Sequence, residues 1–491
     1  MRIVCRSYVR ASAHVCTLAV VAALALACAD SPSSPASGFR KPTPADALDA
    51  SMAATVRDRR LVLLRPGRST EAVATSIVAL GGTIERQHEA TGILVARHLS
   101  DQAAQSIQSH ADVLTVAHDR VSNWIPNRHL RVITSLPNGL KAPSGFGASH
   151  GKSADQSGTF FFPDQWNLRA IRANNVWKLR DSHGAGTLIC DLDTGIDPTH
   201  VELTGKVDLG ISTSFVVSEP TILDYNTHGT YVSAIMATNG RNMGSVAPFA
   251  RLCAIKVIAA SGQGSDLDII AGIVYAGDAH ADVANMSIGG YLDLTDPDQE
   301  AILDAYQRAA NYAHGKGVTL VAAAGNDDLD LRTLPHNTIE VPAELNHVIS
   351  VGATAPDDLA PGTEYLLASY TNFGYPGTSL FAPGGDVRNS GDQNGIDEIV
   401  SACSSYAQNL GFSCANHETY VIAAGTSASS PHVAAEASII KGDKGKGATP
   451  TDVASCILGG TDRVYAIKVP DHLTGFGFED VLGGKDCRHL F

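Results

Sequence analysis

Four short stretches of this 491-residue chain carry side chains that could act together in acyl transfer. Asp193 ends an apolar, strand-like run, and His228 opens a small, apolar helical run. Asn326 follows a second buried strand, and Ser427 lies near the start of a long helical run. A serine hydroxyl becomes a useful nucleophile when an imidazole removes its proton and a carboxylate orients that imidazole. Because an amide N–H can stabilise the resulting oxyanion, the four residues together predict nucleophilic catalysis.

The stretch around Ser427 predicts a tight turn that opens a helix. Gly425 suits the turn and Thr426 suits the helix start, whereas Pro431 is expected in a first helical turn. A helix start presents unpaired N–H groups and the positive end of the helix dipole, which stabilise negative charge. Taken alone, Ser427 would be an ordinary helix cap. The other three stretches favour the catalytic interpretation.

Alternating strands and helices from Gln165 onward predict an α/β fold with a mostly parallel central sheet and helices on both faces. Catalytic groups in such sheets gather at the carboxyl ends of the strands. Before this region, residues 57–121 show a β-α-β-β-α-β pattern, which predicts a small α+β, ferredoxin-like domain.

The N-terminus has the composition of a secretory signal peptide. Arginines at positions 2, 6 and 10 precede an apolar run from Thr17 to Ala27, which is too short to span a membrane. Cys28 follows a small-residue cleavage site, so a lipid anchor on Cys28 stays an alternative to plain secretion. The predicted segments are a signal peptide (1–29), a flexible tether (30–56), the small domain (57–121), an exposed linker with the maturation cut (122–162) and the large domain (163–491).

Charge and cysteine content limit the partners and the compartment. Acidic residues outnumber basic ones, 50 to 36, which disfavours binding to nucleic acid or to anionic membranes. An exported chain can form disulfides, and proximity favours the pairs Cys403–Cys414 and Cys456–Cys487. Two further cysteines, 190 and 253, lie in apolar strand-like runs and are predicted to be buried free thiols.

From about Gln165 to Phe478 the chain resembles the subtilisin-like serine proteases (subtilases, peptidase family S8). The resemblance lies in Asp-Thr-Gly-Ile-Asp from Asp193, His-Gly-Thr from His228, Ala-Ala-Ala-Gly-Asn up to Asn326 and Gly-Thr-Ser-Ala-Ser-Ser-Pro-His-Val-Ala around Ser427. It implies an Asp193–His228–Ser427 triad, with Asn326 as the oxyanion donor. The small domain resembles the inhibitory (I9-like) propeptide of secreted subtilases.

The resemblance also implies a substrate cleft in which two extended segments bind the substrate backbone as an added strand. Glu340 matches the floor of the pocket for the residue before the scissile bond, where an acid would favour Lys or Arg. A surface-loop position for Glu340 stays open. The other substrate-binding positions implied are Gly262, Gly264, Ser287, Ile288, Gly289, Ala324 and Gly325.

Several positions depart from the family pattern, and the stretch Tyr231-Val232-Ser233-Ala234 replaces the His-Val-Ala-Gly that often follows His-Gly-Thr. Thr227 replaces the usual glycine before the histidine, and Ala428 replaces the methionine after the nucleophile. Asp191 occupies a strand position that is usually apolar, and its two-residue spacing puts it on the same face as Asp193. A buried carboxylate there needs a partner or a proton, and the sequence names no partner.

The chemistry requires no cofactor. A structural calcium ion is an option in this family, and Glu202 is the candidate ligand. The partners expected are protein or peptide substrates and the propeptide itself, acting as an intramolecular inhibitor of a monomer. The function predicted is a secreted serine endopeptidase made as an autoinhibited precursor. The alternatives are a subtilase-like peptide ligase or macrocyclase and an inactive binding protein of the same fold.

Overall fold

The computed structural model describes Met52, Ala54 and residues 56–125, 131–132, 153–179, 181–356, 365–386, 397–407, 414–445, 447–461 and 478–485. The predicted signal peptide with Cys28, most of the predicted tether, and Cys487 lie outside these residues. None of the helices in the described ranges has both the length and the apolar character needed to cross a membrane.

The small domain is a four-stranded antiparallel sheet in the order β2–β3–β1–β4, with two helices. Both helices begin after a serine, a residue type that helix starts prefer: the hydroxyl of Ser69 accepts from the N–H of Glu71, and that of Ser100 from the N–H of Ala103. The elements are β1 (Arg60–Leu64), α1 (Thr70–Ala79), β2 (Thr83–His88), β3 (Ile93–Arg97), α2 (Asp101–Gln108) and β4 (Val113–His118).

Alternation along β1 divides the small domain's contacts between two cores. Val62 and Leu64 pack with the apolar side chains of α1 and α2. Leu61 and Leu63 point to the opposite face and pack in a core shared with the large domain. Because successive strand residues face opposite sides of a sheet, the small domain can bury one face on its own helices and the other on the large domain.

The large domain is built on an eight-stranded sheet in the order β16–β15–β13–β11–β7–β9–β8, with β17 also paired to β15. All pairings are parallel except that of β16 with β15. The strands are β7 (Leu188–Asp193), β8 (Thr213–Ser214), β9 (Arg251–Lys256), β11 (Val283–Met286), β13 (Thr319–Ala323), β15 (Val348–Pro356), β16 (Tyr365–Leu367) and β17 (Leu380–Pro383).

Two pairs of long helices cover the faces of this sheet, as the strand–helix alternation predicts. On β7, Ile189 packs in the core that includes α5 (His228–Met236) and α8 (Thr426–Lys444). Its neighbour Leu188 packs on the other face, in the core that includes α6 (Asp266–Asp278) and α7 (Pro297–Gly315). The sheet is therefore the middle of three layers, and Asp193 ends its central strand on the side of α5 and α8.

The remaining strands and α-helices are smaller, and two 3₁₀ helices, Leu331–Thr333 and Ala415–His417, lie between them. Those outside the main sheet are β5 (Val121–Asn123), β6 (Arg131–Val132), β10 (Gln263–Ser265), β12 (Gly290–Asp293), β14 (Thr338–Val341), β18 (Ile399–Ala402), β19 (Tyr420–Ala423), α3 (Trp166–Ala170), α4 (Ala173–Val176), α9 (Pro450–Gly460) and α10 (Val481–Lys485).

Cysteine pairing is partly as predicted. Cys403 and Cys414 form the expected disulfide, and Cys456 is also disulfide-bonded. The prediction of free thiols at Cys190 and Cys253 is wrong, since these two residues form a disulfide with a Cα–Cα distance of 4.5 Å. They lie directly opposite each other on the adjacent strands β7 and β9, a pairing of distant segments that the sequence does not reveal.

The exposure predicted for residues 122–162 is wrong at both ends of that range. Trp124 is buried, and β5 pairs with β10 of the large domain. At the other end, Phe161 is buried against the ring of Tyr420. The residues are rich in polar and turn types, but a few aromatic side chains anchor both ends to the large domain.

Candidate active site

Asp193 and His228 are in direct contact. The Nδ1 atom of His228 lies 2.6 Å from Oδ1 of Asp193, and both side chains are buried. Asp193 is the last residue of β7, and His228 is the first residue of α5, so the carboxyl end of a central strand meets the start of a helix. This contact fixes the ring and leaves Nε2 as the imidazole nitrogen on the side away from the carboxylate.

The start of α5 is held by Asp224, which lies in the segment just before that helix. Its Oδ1 accepts from the N–H of Thr227 at 2.8 Å and from the hydroxyl of Thr194 at 2.8 Å. Its Oδ2 accepts from the N–H and the hydroxyl of Thr230 at 2.8 and 2.7 Å. A carboxylate four residues before the histidine therefore binds the N–H of Thr230 in the first turn and that of Thr227 just before the helix, and this spacing is the signal that could have revealed it.

Thr227 explains how the chain does without the usual glycine before the histidine. Its φ is 90°, a conformation that β-branched residues rarely adopt. Two hydrogen bonds hold the side chain there: the hydroxyl donates to Sγ of Cys403 at 3.2 Å and accepts from the N–H of Ser404 at 2.7 Å. The segment that contains the Cys403–Cys414 disulfide thus supports the backbone next to His228.

Ser427 is the second residue of α8, which packs against α5. Pro431 lies in the second turn of α8 rather than the first, contrary to expectation. Proline has no N–H, so the carbonyl of Ser427, four residues earlier, lacks its usual helical donor. The hydroxyl of Ser287 donates to that carbonyl instead, at 2.9 Å. Ala428, also flagged in the sequence, is buried at the next position.

Asn326 is fastened beside Ser427 by the oxygen of its side-chain amide. Its Oδ1 accepts from the N–H and the hydroxyl of Thr426 at 2.8 and 2.9 Å. Because Oδ1 is bound in this way, the Nδ2 group is the part of the amide that can donate elsewhere. The structure therefore brings the predicted oxyanion donor to the start of the helix that carries the predicted nucleophile.

Glu340 is buried rather than in a surface loop. It lies on β14, which pairs with β12 just after the stretch Ser287–Gly290. Its Oε1 faces both Gly289 and Gly325, and would lie 2.9 Å from a Cβ atom placed on Gly289. Burial, and then the charges of Glu344 and Asp327, raise the pKa of Glu340 well above its usual value. Ala324 and Ile288 are buried at the adjoining positions.

Residues 121–125 of the chain lie against residues 262–265, the segment that is predicted to bind the substrate backbone. The N–H of Trp124 donates to the carbonyl of Gly262 at 3.0 Å, and its indole N–H to that of Gly264 at 2.9 Å. A Cβ atom on Gly264 would come within 3.2 Å of the indole, and one on Gly290 within 3.1 Å. Glycine at these two positions makes the space that the indole fills.

A buried ionic cluster joins the small domain to the start of α6. Arg59 donates to Asp268 at 2.8 Å and to Asp119 at 2.9 Å, with all three side chains buried. Burial, and then the neighbouring carboxylates Asp268 and Asp266, raise the pKa of Asp119 to about 7, although Arg59 acts in the opposite direction. Arg120 adds a 2.7 Å contact to Asp266.

The contacts of Glu202 do not fit the calcium ligand role predicted for it. Its carboxylate accepts from the backbone N–H groups of Arg241, Asn242 and Met243 at 2.9, 2.6 and 3.1 Å, and from the hydroxyl of Tyr420 at 3.0 Å. Calcium binds oxygen ligands, whereas this carboxylate faces hydrogen-bond donors. Glu202 instead anchors the loop that follows α5.

Comparison with known proteins agrees with this geometry. The model of the Subtilase family (Peptidase_S8) matches residues 184–477. The thermophilic serine proteinase of Bacillus sp. strain AK1 is 32% identical over 285 residues, 57% of this chain and 58% of that protein, so the chain spans little more than half of that relative. Subtilisin Savinase of Lederbergia lenta is 32% identical over 278 residues, 56% of this chain and 83% of that protein.

Solved structures show the same fold. The epidermin leader peptide processing serine protease (EpiP) of Staphylococcus aureus superposes with a TM-score of 0.67 at 20% identity, over 88% of this chain and 98% of that one. Fervidolysin of Fervidobacterium pennivorans, a keratinolytic enzyme, superposes with a TM-score of 0.63 at 22% identity, over 87% of this chain and 60% of that one. With a family match over more than half of its length, the chain belongs to the Subtilase family, peptidase family S8.

Proposed function

We propose that this chain is an exported serine endopeptidase, made as a precursor that its own N-terminal domain inhibits. The observation that carries the proposal is the 2.6 Å contact between His228 Nδ1 and Asp193 Oδ1, made at the start of the helix that packs against the one carrying Ser427. A carboxylate in that position holds the imidazole in the tautomer that can accept a proton at Nε2.

In this mechanism the hydroxyl oxygen of Ser427 attacks the carbonyl carbon of the scissile peptide bond while His228 Nε2 takes the hydroxyl proton. The negative oxygen of the tetrahedral intermediate receives hydrogen bonds from Asn326 Nδ2 and from N–H groups at the start of α8. The C–N bond then breaks, His228 returns the proton to the leaving amine, and an acyl-enzyme remains. Water, deprotonated by His228, attacks the ester and releases the acid and Ser427.

The position of residues 121–125 supports inhibition of the precursor by its own N-terminal domain. An extended segment that pairs with Gly262–Ser265 occupies the place where a substrate strand would add to the cleft. Trp124 anchors that segment. The buried ionic cluster around Arg59, together with Leu61 and Leu63 of β1, holds the small domain on α6 and α7. Proteolysis between this domain and the large domain, followed by release, would open the cleft. The cut itself is predicted within 122–162.

The position of Glu340 favours substrates with Lys or Arg before the scissile bond. Its buried carboxyl group faces Gly289 and Gly325, and a cationic side chain entering there would form a charge-assisted pair with it. Burial and the charges of Glu344 and Asp327 raise the pKa of Glu340, and a cation bound beside it would act in the opposite direction by stabilising the carboxylate. Protein or peptide chains with basic residues are therefore the proposed substrates.

Hydrolysis of an arginyl peptide by the purified, processed protein tests the function. We expect turnover by the wild type, none by Ser427→Ala, and a loss of about 10²–10³-fold in kcat for Asn326→Ala, the size of effect that removal of one oxyanion donor produces. Mass spectrometry of the products should show hydrolysed ends. Joined or cyclic products would favour the ligase alternative, and equal turnover by Ser427→Ala would contradict the proposal.

A further inference from the structure

Asp191 has the partners that its sequence position did not suggest. It lies on β7 two residues before Asp193, fully buried. Its Oδ2 accepts from the hydroxyl of Ser233 at 2.8 Å, and Ser233 belongs to α5, the helix that begins at His228. Its Oδ1 accepts from Nδ2 of Asn285 on β11 at 3.0 Å. One carboxyl group therefore joins the strand that ends in Asp193 to the helix that begins at His228.

From Asn285 the hydrogen bonds continue to the nucleophile. The Nδ2 of Asn285 also donates to Oγ of Ser287 at 3.0 Å, and Ser287 donates to the carbonyl of Ser427 at 2.9 Å. The hydroxyl of Ser430 lies 2.8 Å from the same Ser287 oxygen, and donates to it because the Ser287 hydrogen is already used. The chain of contacts runs without a gap from Asp191 to the backbone of Ser427.

The carbonyl of Ser427 needs this support because of Pro431. In an unbroken helix the N–H four residues later would hold the carbonyl, and proline has none. Ser287 supplies the donor from outside the helix, and its own orientation is set by Asn285. The first turn of α8 is thus positioned from the sheet through side chains rather than by its own backbone alone.

Keeping a carboxyl group at this position is costly. Burial, and then the negative charge of Asp193, raise the pKa of Asp191 well above its usual value, and the hydrogen bonds from Asn285 and Ser233 offset this only in part. An apolar side chain on the same strand face would avoid that cost, as Ile189 does two residues earlier. The carboxyl group of Asp191 accepts two hydrogen bonds that an apolar side chain at this position could not accept.

We propose that Asp191 is a positioning residue for the reaction: its carboxyl group fastens α5 and the start of α8 to β7, and so fixes Ser427 relative to His228. The inference rests on the proposed catalytic roles of Asp193, His228 and Ser427. Asp191 itself touches neither substrate nor reacting atoms, and acts through Ser233 on one side and through Asn285 and Ser287 on the other.

Asp191→Leu and Asp191→Asn, introduced into the full chain and assayed as the processed protein, test the inference. Leucine removes both contacts, whereas asparagine can still accept from Asn285 and can donate to Ser233. We expect kcat per fluorophosphonate-titrated site on an arginyl peptide to fall about 10- to 100-fold in Asp191→Leu, as for a small misplacement of reacting groups. KM should stay within about twofold, and Asp191→Asn should recover most of kcat.

Thr187→Val is the matched control. It removes another buried hydrogen bond, the 2.6 Å contact between Thr187 just before β7 and Ser438 in the second half of α8. We expect a lower Tm and an unchanged kcat per site. If Asp191→Leu fails to fold, Asn285→Ala interrupts the same series of hydrogen bonds. The kcat of Asn285→Ala should then also be lower than that of the wild type. Where both fold, their effects should be less than additive.

Three results would overturn the inference: a kcat per titrated site in Asp191→Leu equal to that of wild type, an equal loss in Thr187→Val, or no recovery in Asp191→Asn. Failure of the proposed function is distinguishable, because then Ser427→Ala would keep its activity. If Ser427→Ala is inactive and Asp191→Leu is fully active, only the positioning role is wrong.

Discussion

The Oε1 atom of Glu340 occupies the space into which a side chain on Gly325 would extend. The acid on β14 and the glycine before Asn326 thus lie side by side, although they come from separate segments of the chain. Only a residue without a side chain leaves room at position 325 for that carboxyl group and for the side-chain amide of Asn372.

At a pH where the Glu340 carboxyl group is ionised, Glu340→Gln should convert the proposed pocket from one that favours basic residues to a neutral one. We expect kcat/KM for an arginyl peptide to fall about 10- to 100-fold, because a hydrogen bond to a charged group contributes roughly 1.5–3 kcal/mol. The phenylalanyl analogue is the matched control and should keep its kcat/KM or gain. A wild-type preference for phenylalanyl over arginyl peptides would show that Glu340 does not select for charge.

The same preference should depend on pH. Burial raises the pKa of Glu340, so the carboxyl group is neutral at low pH and becomes a carboxylate as the pH rises through that raised value. Since only the carboxylate pairs with a cation, the arginyl-to-phenylalanyl ratio of kcat/KM should increase with pH in the wild type. In Glu340→Gln the ratio should be flat, and an equal slope in both proteins would contradict the assignment.

Trp124→Ala should loosen the segment that fills the cleft. Truncation of a buried tryptophan costs about 3–5 kcal/mol of packing, and the indole N–H bond to Gly264 is lost as well. In an unprocessed Ser427→Ala background, we expect a fluorescent arginyl peptide to bind at least about tenfold more tightly when Trp124 is replaced. Fluorescence anisotropy measures this binding.

Leu80→Ala is the control for that experiment, since Leu80 belongs to the same small domain but is exposed. Its affinity for the peptide should equal that of the unaltered background. Equal affinity in all three proteins would show that residues 121–125 do not compete with substrate.

Glu436 and Glu479 form a buried carboxyl pair that should make stability depend on pH. Burial is the main cause that raises the pKa of each well above its usual value. When the pKa of a group is higher in the folded state than in the unfolded state, the group contributes its full stability below the unfolded-state pKa. That contribution is lost as the pH rises through the folded-state pKa. In the Ser427→Ala background, Tm should therefore fall from pH 5 to pH 8, and Glu479→Gln should reduce that fall.

Glu418→Gln, at an exposed position, is the matched variant for the carboxyl pair and should leave the change in Tm as it is. At pH 8 the free energy of unfolding of Glu479→Gln should exceed that of its parent by about 1–3 kcal/mol. This is the usual cost of a buried polar group that lacks a full set of hydrogen bonds. If the Tm of the parent does not change between pH 5 and pH 8, the burial of Glu436 and Glu479 does not make stability depend on pH.

Local signals in the sequence were sufficient for the layered fold and for the position of each catalytic candidate. Ser69 and Ser100 cap α1 and α2, in line with the preference of helix starts for serine, and the apolar run that ends in Asp193 is a strand buried on both faces. Such features depend on neighbours within a few residues, which the sequence displays directly.

The features that sequence reasoning missed depend on which distant segments become neighbours. Cys190 meets Cys253 only because β7 and β9 are adjacent and in register. Asp191 finds Asn285 across a strand pair in the same way. Trp124 lies in a stretch of linker-like composition, and its burial follows from glycines at 264 and 290, far along the chain. Register and strand order are global properties, so spacing alone could not supply them.

Processing of the precursor tests the central claim most directly. Full-length wild type and Ser427→Ala, purified after expression under identical conditions, would be incubated and followed by gel electrophoresis and N-terminal sequencing. Because Ser427 is the proposed nucleophile and the cut is proposed to be self-made, the wild type should lose its N-terminal domain while Ser427→Ala stays intact. Cleavage of both proteins at the same rate and position would contradict the account.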